Sequence, residues 1–153
     1  MNYLDIQIAT KSSGYPSEQQ FQQWVDTVLS DQSQDSEIVI RLVDDAESAT
    51  LNEQYRHKNG PTNILSFPFE APEGIEMDLL GDLVVCVPLI AKEAAEQNKL
   101  PEHHWAHITI HGVLHLLGYD HIEEAEAEEM ETLEIKLLNM LNIANPYQEE
   151  NTQ

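Results

Sequence analysis

A chain of 153 residues, 41% apolar and 23% charged, has the size and composition of one soluble globular domain able to bury a sizeable core. Its net charge of −21 excludes a global positive field that would steer it onto nucleic acid. No window of about 18 uninterrupted apolar residues is present to span a membrane. The opening MNYLDIQIAT has no basic run followed by a long apolar stretch, so it does not read as a secretory signal. The single cysteine, Cys86, can form no internal disulfide and suits a reducing, cytoplasmic compartment; within Leu83–Val87 it reads as a small buried hydrophobe.

Leu4, Ile6 and Ile8 alternate with polar residues and predict a strand. Ser17 then stands as N-cap before EQQFQQWVDTVL, whose Phe21, Trp24, Val25 and Val28 make one apolar helix face. Residues 37–43 (EIVIRLV) alternate again as a second strand. Asp44 or Asp45 can cap a helix running to about Tyr55, and HKNGP at 57–61 is a turn. Residues 62–69 (TNILSFPF) predict a strand, in which Pro68 marks an edge or an end. Residues 70–80 read as a loop and Gly81–Val87 as a short apolar strand.

Pro88 suits the first turn of a helix to about Asn98. Pro101 opens another, stopped near Leu117 by Gly118. A last helix covers about Ile122–Leu141. About four strands and five helices, interspersed, predict an α+β fold: a small mixed sheet with helices packed on it. The chain reads as a single domain, 1–153, with 145–153 as a flexible tail.

The informative segment is HGVLHLLGYDH, residues 111–121. On a helix, positions i and i+4 share a face, so His111 and His115 can aim both rings at one ion. Gly118 can then reverse the chain and return His121 to the same point. Three imidazoles leave a fourth zinc position open, the pattern of catalytic sites. A lone helical histidine is usually a satisfied core or surface residue, but three at this spacing around a glycine are much rarer. The spacing is that of the metzincin signature H-E-x-x-H-x-x-G-x-x-H, except that Gly112 stands where zinc proteases carry a glutamate base. Its absence argues against ordinary peptide hydrolysis and points to water on the ion as the nucleophile or as its activator.

Other residues admit two readings. His107, one turn before His111, could orient a metal ligand by a hydrogen bond or be an ordinary polar residue. Asp120 could do the same or simply form the turn. His57, His103 and His104 read as exposed. Seven glutamates between 123 and 134 read as a solvated helix face. Six of the seven Lys and Arg precede residue 110, which leaves room for a local cationic surface there.

HGVLHLLGYDH at 111–121, PTNILSFPFE at 61–70, LLGDLVVC at 79–86 and YR at 55–56 closely resemble the YbeY family of bacterial single-strand-specific endoribonucleases, the rRNA maturation factors. The resemblance extends with lower specificity over nearly the whole chain. It implies a small mixed sheet with a zincin-like metal helix, and zinc, or another transition metal such as nickel, on His111, His115 and His121. It implies that the family's functional arginine falls on Arg56. It also implies cleavage of single-stranded RNA in 16S rRNA 3′-end maturation and ribosome quality control. The partners would then be rRNA, the small subunit and its assembly proteins, with no DNA and no membrane. One departure is Asn63, where many members carry Asp.

Physical chemistry supports Arg56 independently. Phosphodiester cleavage builds negative charge on phosphate oxygens, and a guanidinium offers them bidentate bonds at any working pH. The alternative for Arg56 is a surface salt bridge, for instance to Glu53. Phe67 or Phe69 could stack a base, although core packing suits at least one of them. Two other functions fit less well. A metallopeptidase-like zinc hydrolase lacks its glutamate, and a non-catalytic assembly factor with a structural metal would not need an open coordination position.

Overall fold

A computed structural model of the chain describes residues 2–31, 36–69, 79–119 and 123–147. In chain order these form β1 (Tyr3–Ile8), α1 (Glu18–Val28), β2 (Glu37–Val43), α2 (Asp45–Arg56), β3 (Ile64–Pro68), β4 (Leu79–Cys86), α3 (Val87–Glu96), α4 (Pro101–Leu116) and α5 (Glu124–Met140). The strands make one mixed sheet in the order β1-β2-β4-β3. β1, β2 and β4 are parallel, and β3 is an antiparallel edge strand on β4, pairing Ile64 with Val85 and Pro68 with Gly81. The α+β expectation holds. Pro68, which has no N–H to donate, ends the edge strand as its chemistry requires. β4 begins earlier than expected, at Leu79, two residues before the predicted Gly81.

Local chemistry accounts for the helix starts. Ser17 caps α1 through a full capping box: its hydroxyl accepts from the Gln20 N–H, and the Gln20 side chain accepts from the Ser17 N–H at 2.9 Å. Asp44 is the N-cap of α2 by position but does not cap it with its side chain. Its carboxylate turns to the end of β1 instead, accepting from the Lys11 N–H at 3.0 Å and from the Thr10 and Ser12 hydroxyls. The last two α4 carbonyl bonds are closed around Gly118, whose φ of +103° suits glycine.

The period-2 pattern of β2 and β4 splits the interior into two layers. Ile38, Ile40, Leu42, Leu83 and Val85 join Ile64 in the main core with Phe21, Trp24, Trp105, Ile110 and Leu114 from α1 and α4. Val43, Leu65 and Val84 point the other way and meet Leu51 of α2 and Phe67. α4 and α2 therefore cover opposite faces of the sheet, with edge strand β3 between them. Cys86 is buried, as expected. Burial, together with its Sγ–Asp45 contact of 3.2 Å, pushes its thiol up to about 11.

Candidate metal site

α4 carries His104, His107, His111 and His115 on one side, at helical spacings of three and four. The opposite side is pressed on the sheet. Gly112 sits so close that an added Cβ would lie 2.5 Å from Ile64 Cδ1 and 2.9 Å from Leu83 Cδ2. The Gly112 carbonyl accepts from the Ser66 hydroxyl of β3 at 3.3 Å. A glutamate at position 112, as a zinc protease would need, has no room. Its absence is a packing property of this scaffold as well as a missing base.

His111 and His115 meet as the 111–121 spacing predicts for its first two members: their Nε2 atoms are 3.1 Å apart. Zn–N bonds of about 2.0–2.1 Å at tetrahedral angles put neighbouring ligand nitrogens about 3.3 Å apart, so the pair is spaced to share an ion. His121 and Asp120 lie outside the described residues. Among the described residues, no group of three His, Cys, Asp or Glu is disposed to hold a metal.

The residue that organises the site is Glu134 of α5. Six of the seven glutamates at 123–134 are exposed, as expected; Glu134 is fully buried. Its Oε2 accepts from His111 Nδ1 at 2.6 Å, and its Oε1 from His107 Nε2 at 2.8 Å and from the Tyr147 hydroxyl. Burial alone would raise its pKa. The three hydrogen bonds outweigh burial and lower it to about 2, so Glu134 is a carboxylate that can only accept. His111 must then carry its proton on Nδ1, which leaves the Nε2 lone pair facing His115. Burial lowers the pKa of His107 against the pull of Glu134, and raises that of Tyr147 in concert with it.

His107 and His111 meet edge to face, with ring centroids 6.4 Å apart, and both donate to Glu134. The sequence held a signal for this. Position 134 falls on the stripe of Met130, Leu133, Leu137 and Leu138, where a solvated glutamate does not belong. Of the tail expected from residue 145 onward, 148–153 lie outside the described residues; within 145–147, Asn145 Oδ1 accepts from the Tyr147 N–H at 2.8 Å.

His104 is buried against expectation. Its Nε2 is 2.9 Å from Glu93 of α3, which also accepts from Asn63 Nδ2 at 3.1 Å. Burial opposes ionisation of Glu93, but the His104 and Asn63 bonds prevail and lower its pKa. Asn63 thus has a structural partner of its own. His57 is exposed in left-handed conformation at the end of α2, and His103 is half-buried.

Arg56 ends α2, exposed, and among the described residues it makes no ion pair, with Glu53 or any other carboxylate. Arg41, by contrast, is held by both oxygens of Glu47. Among the described residues, no hydrogen bond or ring contact joins Arg56 to the α4 histidines. The two groups flank the same end of β3 from opposite faces. Tyr55, beside Arg56, packs edge to face on Phe67 with ring centroids 5.2 Å apart. On the other face Ser66 bonds Gly112, and an added Cβ on Gly81, the partner of Pro68, would meet Leu116 Cδ2 at 2.7 Å.

Comparison with known proteins agrees with this geometry. The family described as Endoribonuclease YbeY matches residues 5–142. An Endoribonuclease YbeY of Colwellia psychrerythraea is 54% identical over 151 residues, 96% of this chain and 97% of that protein. A Thermotoga maritima protein solved in solution is similar in fold, with a TM-score of 0.58 at 24% identity over 97% of this chain and 99% of that one. With four fifths or more of its length matched and every quoted motif inside the matched range, the chain belongs to the YbeY family of endoribonucleases.

Proposed function

We propose that this endoribonuclease cleaves single-stranded RNA in 16S rRNA 3′-end maturation and ribosome quality control, with zinc held by His111, His115 and His121. The observation that carries the metal reading is the convergence of the His111 and His115 Nε2 atoms, with His111 Nδ1–H donating to Glu134. Nitrogen donors in that geometry suit zinc. When bound, such an ion supplies Lewis acidity and lowers the pKa of water to about 7.

We assign Arg56, exposed at the end of α2, to the substrate and not to the metal ligands. An RNA strand crossing β3 at Ser66–Pro68 would have the histidines on one side and Arg56 on the other. The guanidinium, free of carboxylate partners among the described residues, would then hold a phosphate oxygen as charge builds on it. Tyr55 and Phe67 offer ring surfaces beside it. The crowding at Gly112 disfavours a peptidase of the zinc-protease type, because a glutamate base does not fit at that position. Asp120, next to His121, is a candidate to accept a hydrogen bond from that ligand. The described residues contain no helix long and apolar enough to cross a membrane; the substrate proposed here, RNA of the ribosome's small subunit, is what places the enzyme in the cytoplasm.

Elemental analysis of the purified protein, combined with cleavage of defined single-stranded and duplex RNAs, tests this. One zinc per chain and cleavage of the single strand alone are expected. Full metal content with no cleavage of any RNA would favour an assembly factor with a structural ion. Full stoichiometry in His111→Ala, His115→Ala or His121→Ala would remove that histidine from the ligand set.

A further inference from the structure

Glu134 is bonded by groups from three parts of the chain: His107 and His111 of α4, and Tyr147 beyond the end of α5. We propose that Glu134 is a positioning residue for the metal ion, and that Tyr147 sets how firmly it holds His111 in register. The proposal rests on the histidine reading above. A histidine ring can rotate about χ2 and can carry its proton on either nitrogen, so a helical histidine alone does not present one fixed lone pair. The carboxylate at Nδ1 removes both freedoms: it selects the Nδ1–H tautomer and fixes the ring plane, leaving Nε2 aimed toward His115 at 3.1 Å.

A glutamate side chain is itself flexible, and would hold the ring loosely if only one oxygen were engaged. Here the second oxygen is clamped. Oε1 accepts from His107 Nε2 at 2.8 Å and from the Tyr147 hydroxyl, and Tyr147 also stacks edge to face on His107 with ring centroids 5.3 Å apart. Glu134 is not a metal ligand in this arrangement. Its oxygens are occupied by N–H and O–H donors, and it meets His111 at the nitrogen remote from His115. His107 cannot take its place, since that ring makes no hydrogen bond to His111 and stands edge-on to it. Tyr147 thus links a segment outside the α4–α5 pair to the aim of a metal ligand.

The test uses zinc(II) affinity, measured by competition with a chromophoric chelator. It is paired with long-range nitrogen–proton NMR of the histidine rings in zinc-free protein. Wild type should show His111 as the Nδ1–H tautomer. Glu134→Gln keeps the side-chain size but turns an N–H toward one of the three donors. It should bind zinc about 10- to 100-fold more weakly and show mixed His111 tautomers. Tyr147→Phe removes one hydroxyl and leaves the ring, and should weaken zinc by about 3- to 10-fold, the worth of one hydrogen bond. Wild-type affinity in both variants, or His111 predominantly as Nε2–H in wild type, would overturn the proposal. If Glu134→Gln fails to fold, Tyr147→Phe and the wild-type spectrum decide. Full zinc retention by His115→Ala would sink the histidine reading instead, while leaving the tautomer of His111 to report on Glu134 alone.

Discussion

Replacing Gly112 by alanine sets helix propensity against packing, and the structure allows the balance to be worked out. In a helix interior, Gly→Ala contributes about 1 kcal/mol of stability. Against that, the new methyl would lie 2.5 Å from Ile64 Cδ1 and 2.9 Å from Leu83 Cδ2, where carbon atoms prefer about 3.5–4.0 Å. Both neighbours belong to the main core, so neither can swing into solvent. Overpacking of this kind costs about 1–3 kcal/mol. The net expectation runs from no gain to a loss of about 2 kcal/mol, or a Tm lower by up to about 8 °C at this chain length. Ile64→Val deletes the Cδ1 atom responsible for the closest contact and alone costs about 0.5–1.5 kcal/mol. The double variant Gly112→Ala/Ile64→Val should therefore be more stable than the two single effects predict, by about 1 kcal/mol. Urea titrations of all four proteins, with chelator present so that metal binding does not contribute, give the cycle. If Gly112→Ala is about 1 kcal/mol more stable than wild type, or the double variant is additive within about 0.3 kcal/mol, then α4 is not seated on β3 and β4 as described. The argument that the scaffold has no room for a glutamate would fall with it.

Arg56→Ala should keep its metal and its circular dichroism spectrum while single-turnover cleavage of a single-stranded RNA falls about 10²–10³-fold; Arg56→Lys should recover little of this, because an ammonium lacks the planar fork. Unchanged cleavage would take Arg56 out of the reaction, and joint loss of metal and fold would make it structural. Glu134, with its pKa lowered from 4.5 to about 2, contributes stability that is present above pH 4.5 and lost as the pH falls toward 2. At about 1.4 kcal/mol per unit this amounts to about 3 kcal/mol. In chelator, the gap in urea midpoint between wild type and Glu134→Gln should narrow from pH 6 to pH 3, and a constant gap would contradict the assignment. RNA affinity should fall only shallowly with salt, since a chain of net charge −21 has few cations to place on phosphates; a steep slope in filter-binding titrations would mean that the binding surface lies elsewhere.

Much of the fold could be read from local chemistry. Ser17 with Gln20, the alternation of EIVIRLV, Pro68 at a strand end, Pro101 and Gly118 around α4 each state a conformational preference within a few residues. The i, i+4 pair His111 and His115 was legible for the same reason. What escaped depends on contacts between distant segments. Asp44 occupies a capping position, yet its carboxylate is drawn to Thr10, Lys11 and Ser12, more than thirty residues away. His104 looks like one of several surface histidines until Glu93 of another helix meets it. Glu134 was masked by its neighbours, because six solvated glutamates make the seventh look like one more. Only its place on the apolar stripe of α5 distinguished it, and its partners on α4 and at Tyr147 required the tertiary structure.

The position of Cys86 makes the protein a convenient object for site-directed spectroscopy. The sole thiol is buried at the end of β4 and held protonated at neutral pH, so alkylating reagents that need an exposed thiolate will pass it by in the folded state. A cysteine introduced at exposed Gln54, half a turn before Arg56, or at exposed Glu128 on α5, would be the one reactive group. A fluorophore or spin label attached at Gln54→Cys would then sense an RNA strand arriving at the β3 edge. The same label at Glu128→Cys would serve as the reference, with no need to replace Cys86 in either protein.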